Sequence, residues 1–136
     1  MPSVTKSVTS RKRDYHLPKH RYLELVHFCR QYQDFKKEYN ELTFIRSPQM
    51  TIHQNYIKDL TSEKAIRLRT LDKKIKVIEQ SAIETDPVLY PFIVQAVTDG
   101  FTYENLRLTK NIPIGRTTFY VLIRRFYFIL ARKTDY

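Results

Sequence analysis

The sequence has little cysteine, little glycine and no long apolar run, and each shortage excludes a class of protein. Cys29 is the single cysteine among 136 residues, so no intramolecular disulfide can form, which suits a reducing compartment. The two glycines are too few to interrupt long helices. No apolar run approaches the length of a membrane span, and the polar N-terminus lacks the apolar core of a signal peptide. We therefore expect a cytoplasmic protein with no membrane segment.

Enzyme motifs and metal-ligand patterns are also missing. The sequence contains no glycine-rich phosphate loop, no nucleophile motif and no paired carboxylates beside a candidate base. The four histidines at positions 16, 20, 27 and 53 are scattered, and no set of Cys, His, Asp and Glu has metal-ligand spacing. Cys29 lies in an apolar helical pattern, where a buried structural thiol is far commoner than a nucleophile. We expect a protein that is not an enzyme and uses no metal and no cofactor.

Positive charge is in excess and is concentrated at the two ends of the chain. Lys and Arg number 24 against 14 Asp and Glu, which gives a formal net charge of +10. Residues 1–20 contain five basic residues and one acidic residue, and residues 101–136 contain seven basic and two acidic residues. Such charge favours an acidic partner, whether nucleic acid, an anionic membrane surface or an acidic protein. The basic N-terminal segment has no adjacent apolar face that could enter a bilayer, which argues against an anionic membrane surface as the partner.

Residues 1–17 are polar, basic and rich in Ser and Thr, a composition that predicts a flexible arm. Arg11, Lys12 and Arg13 are the residues of this arm that could contact phosphates or reach a minor groove. A solvated tail with no ligand is the alternative interpretation.

Residues 18–83 predict two long amphipathic helices joined by a connection at residues 43–60. The first runs from Lys19 to Leu42 and carries an aromatic stripe at helical spacing. The second begins at Thr61 or Ser62. Its apolar residues alternate at spacings of three and four, as in a coiled-coil seam: Leu68, Leu71, Ile75, Ile78 and Ala82. We expect the two helices to pair as an antiparallel hairpin, and dimerisation through the same seam is the competing arrangement.

Residues 84–136 predict three further helices. The first is the mostly apolar segment from Val88 to Thr98, and Gly100 can take the left-handed conformation that ends a helix. The second is a short helix from Tyr103 to Leu108, capped by Thr102. A polar turn follows it: Thr109, Lys110 and Asn111.

The third helix begins at Arg116, with Gly115 as its cap. Residues at spacings of three and four give it an apolar face: Phe119, Leu122, Phe126 and Leu130. A short helix, a tight turn and a longer basic helix are typical of a helix-turn-helix, whose second helix can enter the DNA major groove. The predicted fold is therefore all-α, with a long N-terminal helical hairpin followed by a C-terminal three-helix helix-turn-helix domain. Tyr127 and Phe128 are left partly outside the predicted core, which suggests a second contact there.

The side of this last helix opposite its apolar face supplies the candidate DNA contacts. In a helix-turn-helix, the start of the second helix meets base edges and basic side chains meet phosphates. The base-edge candidates are Arg116, Thr117, Thr118 and Val121, and the phosphate candidates are Lys110, Arg124 and Arg125. A basic stripe that only faces solvent would show the same spacing. The net charge of the C-terminal segment favours double-stranded DNA as the partner.

The chain resembles the RinA/ArpU-type transcriptional regulators of phages and prophages of Gram-positive bacteria. The resemblance covers residues 59–133 and rests on DLTSEKAIRLRTLDKKIKVIEQSA followed by YENLRLTKNIPIGRTTFYVLIRRFYFILARK. It implies a helix-turn-helix similar to the promoter-reading region of sigma factors. In that pattern Thr117 and Thr118 supply hydroxyls, Tyr120 joins the DNA contacts, and Val121 stands where a basic residue is commoner. The implied role is activation of phage late genes in the cytoplasm of a bacterial host.

These observations predict a sequence-specific DNA-binding transcriptional regulator, and two alternatives stay open. One is a small terminase-like DNA-recognition subunit, since such proteins also join a helix-turn-helix to helical oligomerisation segments. The other is a protein-interaction module whose aromatic helices bind host RNA polymerase or another phage protein. A homodimer is one assembly that the sequence permits, and the sequence does not specify the oligomeric state.

Overall fold

The computed structural model describes residues 15–44, without the side chain of Phe44, and residues 62–134. Within these ranges there are six α-helices and no strand, which confirms the all-α class for this part of the chain. The helices are α1 (Lys19–Arg30), α2 (Tyr32–Phe44), α3 (Ser62–Thr85), α4 (Tyr90–Asp99), α5 (Tyr103–Lys110) and α6 (Arg116–Lys133). Arg11, Lys12 and Arg13 of the predicted arm, and most of the predicted connection, lie outside the described residues.

The predicted single helix from Lys19 to Leu42 is wrong, because α1 and α2 meet at a break at Gln31. The Gln31 N–H donates to the Phe28 carbonyl at 3.2 Å, which is a tighter turn than an α-helix makes. The Gln31 side-chain amide donates to the His27 carbonyl at 3.3 Å and so takes the acceptor that a continuous helix would use. The break gives the two helices different neighbours, since α1 contacts α4 and α6 while α2 contacts α3.

Helix α3 is the longest helix and the one around which the others pack, since it contacts α2, α4 and α6. Three residues of its predicted seam are fully buried: Leu71, Ile78 and Ala82. Leu68 and Ile75 of the same seam are half-buried. Burial of this apolar stripe, worth about 25 cal/mol per Å² removed from water, is what fixes α3 inside the bundle.

Helices α2 and α3 run antiparallel. The Tyr32 hydroxyl, at the start of α2, donates to the Glu79 carboxylate near the end of α3. Further along α2, Glu38 accepts two hydrogen bonds from the Arg67 guanidinium near the start of α3, at 2.6 and 2.7 Å. The paired residue numbers therefore rise in one helix while they fall in the other. The Arg67 guanidinium also holds the pKa of the Glu38 carboxyl below its ordinary value.

The largest buried cluster joins helices from both sides of the predicted domain boundary at residue 84. Its members are Leu25, Cys29, Tyr32, Ile78, Ala82, Ile93, Val97, Leu122, Phe126, Tyr127, Leu130 and Ala131. Tyr127 was expected partly outside the core, but only 4% of its surface is exposed. Its ring meets Tyr22 of α1 edge-on at 5.2 Å, and burial raises the pKa of its hydroxyl. The N-terminal helices and α6 therefore share one core.

Candidate nucleic-acid interface

A second, smaller apolar cluster holds α4, α5 and the start of α6 together. Its buried members are Tyr103, Leu106, Ile112 and Phe119, and Phe92 and Ala96 of α4 pack against them. The Tyr103 and Phe119 rings lie 5.7 Å apart between centroids. Because this cluster contains one residue from the connection between α5 and α6, it fixes the turn as well as the two helices.

Local hydrogen bonds set both ends of α5. The Thr102 hydroxyl accepts the Asn105 N–H at 3.2 Å, and the Asn105 side-chain oxygen accepts the Thr102 N–H at 3.1 Å. At the other end Asn111 takes the left-handed conformation, with φ of 53°, which a short polar side chain tolerates. Helix α5 therefore ends at Lys110, and the prediction that Thr109 and Lys110 belong to the turn is wrong.

Tyr103 ties the turn to the two helices that flank it. Its hydroxyl donates to the Ile114 carbonyl at 2.7 Å, one residue before the cap of α6. Its backbone N–H donates to the Tyr120 hydroxyl at 3.3 Å. Tyr120 was expected to contact DNA, but it is half-buried and its hydroxyl already accepts this internal hydrogen bond. Tyr120 therefore helps to position α5 against α6.

The N-terminal end of α6 is open to solvent. Gly115 occupies the cap position in an extended conformation, and no side chain hydrogen-bonds there. The first N–H groups of a helix carry partial positive charge and lack acceptors within the helix. Arg116 and Thr117 are exposed beside them, and Thr118 is half-buried. These three predicted base-edge candidates therefore lie together at the positive end of α6.

Two arginines share one carboxylate at this end of the molecule. Arg116 forms an ion pair with Glu104 of α5, and its guanidinium lies 5.6 Å from the centre of the Tyr103 ring. Arg107 approaches the same carboxylate at 3.5 Å, and Lys110 is exposed one turn further along α5. Arg107 and Glu104 were not among the site residues predicted from the sequence. Their spacing of three on a short predicted helix was the signal that could have placed them on one face.

The assignment of Val121 to the exposed side of α6 is wrong, since only 4% of its surface is exposed. The physical reason is that α6 is an inner helix, contacted by α1, α3 and α4 rather than along a single face. Arg124 and Arg125 are half-buried. Arg124 lines a cavity together with Tyr22 of α1, and its Nε atom is buried with no hydrogen-bond partner among the described residues. Among the predicted phosphate contacts that the structure describes, Lys110 is exposed, whereas Arg124 and Arg125 are half-buried.

None of the helices in the described ranges combines the length and apolar character that crossing a bilayer requires. In those ranges, too, no group of three or more His, Cys, Asp and Glu side chains is placed to hold a metal ion. Comparison of the chain with protein-family models, with curated proteins and with solved structures found no match.

Proposed function

We propose that the protein is a sequence-specific regulator of transcription that binds double-stranded DNA by placing the N-terminal end of α6 in a major groove. The observation that supports this most is the exposure of Arg116 and Thr117 at a helix end whose cap makes no side-chain hydrogen bond. Arg107 of α5 approaches the same carboxylate as Arg116, and Lys110 at the end of α5 is a further exposed cation. A helix N-terminus with adjacent basic side chains is suited to a polyanion.

The contacts divide into two kinds. Arg116 is the base-edge reader, because a guanidinium can donate two hydrogen bonds to guanine in the major groove. The Thr117 hydroxyl can bond to several bases and adds a weaker preference. Lys110, Arg107 and the free N–H groups at the start of α6 bind phosphates and set the position of the helix on the duplex. Thr118 contributes at the margin of this surface.

Glu104 makes the arrangement suitable for reading sequence as well as binding charge. A carboxylate lowers affinity for phosphates, yet here it accepts from Arg116 and Arg107 and so restricts where the two guanidinium groups can point. An arginine held in one orientation discriminates between bases better than a freely rotating one, because less conformational entropy is lost on contact.

The resemblance of residues 59–133 to RinA/ArpU-type regulators supports a narrower form of the proposal, in which the target lies upstream of phage late genes and the protein acts as an activator. In this form the exposed residues of α1 and α2 are the surface available to host RNA polymerase or to a second copy of the chain. The DNA contacts do not depend on that narrower form.

The proposal is tested by selecting bound duplexes from a random DNA library with three proteins in parallel: wild type, Arg116→Ala and Arg69→Ala. Arg69 is an exposed arginine of α3 and controls for the loss of one positive charge. We expect wild type and Arg69→Ala to enrich one motif and Arg116→Ala to lose discrimination at one or two positions of it. The symmetry and half-site spacing of the motif separate a dimer from a monomer.

Two results would overturn the proposal. One is binding without an enriched motif that only weakens as salt is raised, which would be phosphate contact alone. The other is a motif enriched equally by Arg116→Ala and wild type, which would move the reading surface away from α6.

A further inference from the structure

A groove opens at the opposite end of α6 from the proposed DNA contacts, between α1 and α3. Its volume is about 540 Å³, and its apolar floor consists of Leu25, Phe28 and Val77. Arg116 and Lys133 mark the two ends of α6, which at 1.5 Å per residue places this groove about 25 Å from the N-terminal end of the helix. The groove is therefore a separate surface from the candidate DNA interface.

The wall of the groove on the α6 side is held in place by Arg21. Its guanidinium donates to the Thr134 hydroxyl at 2.8 Å and to the Ala131 carbonyl at 3.3 Å, which ties α1 to the end of α6. The same guanidinium reaches Glu24 at 3.2 Å, and Glu24 is the one acidic residue of the lining. These contacts pair the charge of Arg21 within the protein.

The opposite wall carries the positive charge that the groove offers to a ligand. Lys73 and Lys74 project from α3 above Val77, and Lys133 completes the rim from α6. Lys133 is paired with Glu84 at 2.5 Å, and Lys74 lies 5.1 Å from the centre of the Phe35 ring. Cation–π contact leaves the full charge of Lys74 in place. Lys73 and Lys74 therefore give the rim its net positive charge.

We propose that this groove binds an acidic peptide segment of a partner protein. One or two aliphatic or aromatic side chains of the segment pack against Phe28 and Val77, and its carboxylates face Lys73 and Lys74. The inference rests on charge complementarity around an apolar floor. Basic side chains recognise carboxylates, and a shallow groove between two helices accepts the apolar side chains of a peptide. Duplex DNA is the wrong shape for this site, because its outer surface presents phosphates and sugars and no apolar group to fill the floor.

Peptide binding in this groove does not depend on DNA binding. The separation along α6 leaves room for both ligands at once, so a regulator of this form could hold DNA at one end of α6 and a protein partner at the other. It follows that loss of Arg116, which the DNA proposal requires, leaves peptide affinity unchanged.

The test begins with a displayed library of random short peptides selected against the wild-type protein. The most enriched peptide is then labelled with fluorescein, and its binding is measured by fluorescence anisotropy. We expect enriched sequences that combine Asp or Glu with aliphatic or aromatic residues. Lys73→Glu should weaken binding by about tenfold or more, because a rim charge facing a carboxylate changes sign.

Two variants act as controls for this measurement. Lys37→Glu makes the same charge change at an exposed position of α2 outside the groove, and affinity should stay within about twofold of wild type. Val77→Trp fills the floor without changing charge and should abolish binding. Its urea unfolding midpoint, measured beside that of wild type, verifies that the variant is folded.

Three outcomes would overturn the proposal. Enriched peptides without an acidic bias would remove the charge argument. Equal weakening by Lys73→Glu and Lys37→Glu would show a general charge effect. Binding of dodecanoate at this site, with no peptide bound, would make the groove a site for a small anionic amphiphile. Peptide binding that persists in Arg116→Ala while DNA selectivity is lost would separate this proposal from the DNA proposal.

Discussion

The carboxylate of Glu104, in the short helix α5, forms an ion pair with the guanidinium of Arg116, the first residue of α6. The pair spans the connection between the two helices, and Arg107 approaches the same carboxylate at 3.5 Å. The Arg116 and Glu104 side chains are 59% and 44% exposed, so solvent screens the pair and its contribution to stability is only about 0–1 kcal/mol. The ion pair instead orients the Arg116 side chain at the surface that we propose binds DNA.

Replacement of Glu104 by Gln is expected to raise affinity for duplexes of unrelated sequence by about threefold, because a negative charge beside the phosphates is removed. Discrimination between the selected motif and unrelated duplexes should fall, since Arg116 loses the acceptor that orients it. Anisotropy titrations with both duplexes measure the two effects, with Glu41→Gln, at an exposed position of α2, as the charge-matched control. Unchanged discrimination would mean that Glu104 does not orient Arg116.

Tyr103→Phe removes the hydroxyl that donates to the Ile114 carbonyl at 2.7 Å. The free energy of unfolding should fall by about 1 kcal/mol, the usual net value of one hydrogen bond. Affinity for the selected motif should fall as well, since the connection that presents Arg116 loosens while the net charge stays the same. Urea titration and DNA titration of the variant check both effects.

Tyr120→Phe is the companion variant for Tyr103→Phe. It removes a longer hydrogen bond, the one from the Tyr103 N–H at 3.3 Å, and the loss in free energy of unfolding should be smaller. If Tyr120→Phe weakened DNA binding without affecting stability, the hydroxyl would be a DNA contact, as the sequence analysis had assigned it.

Two isoleucines of α3 provide a matched pair for the core. Ile78 is fully buried and Ile66 is 55% exposed. Ile78→Ala should lower the free energy of unfolding by about 2–5 kcal/mol, because it leaves a cavity where several helices meet. Ile66→Ala should change it by no more than about 0.5 kcal/mol. Denaturant titrations of the two variants measure both changes. Equal losses in the free energy of unfolding would place Ile78 outside the core.

Burial raises the pKa of the Cys29 thiol from 9.0 to about 12, against a smaller opposite effect of Arg30. The folded protein should therefore resist iodoacetamide at mildly alkaline pH, whereas the urea-unfolded chain should react readily, since the thiolate is the reactive form. The same shift affects stability. Above pH 9 the unfolded state loses the thiol proton and the folded state keeps it, so the free energy of unfolding should decline as pH rises toward 12.

The variant Cys29→Ala is the control for the predicted fall in the free energy of unfolding at alkaline pH. Burial also raises the pKa values of Tyr32 and Tyr127, and both tyrosines stay in Cys29→Ala. The free energy of unfolding of that variant should therefore still fall with pH, but less steeply than that of wild type. An identical pH dependence in the two proteins would remove Cys29 as a contributor.

The sequence by itself determined the features that depend on neighbouring residues. Gly100 ends α4 with φ of 75°, Thr102 caps α5, and Gly115 precedes α6, each as predicted. The apolar faces of α3 and α6 were also predicted, because helical spacing places Ile78 or Phe126 on one side regardless of what packs there. All of these are set within one or two turns of helix.

Only the tertiary structure decided which other sides of the helices are covered. Val121 is buried although it lies away from the main apolar face of α6, because several other helices pack around that helix. The break at Gln31 lets α1 and α2 pack on different partners, and Glu104 meets Arg116 only because a second apolar cluster closes α5 onto α6. Helical periodicity specifies one face of a helix. How many other helices pack around that helix depends on segments that are distant in the sequence. The spacing of apolar residues within one helix does not encode this.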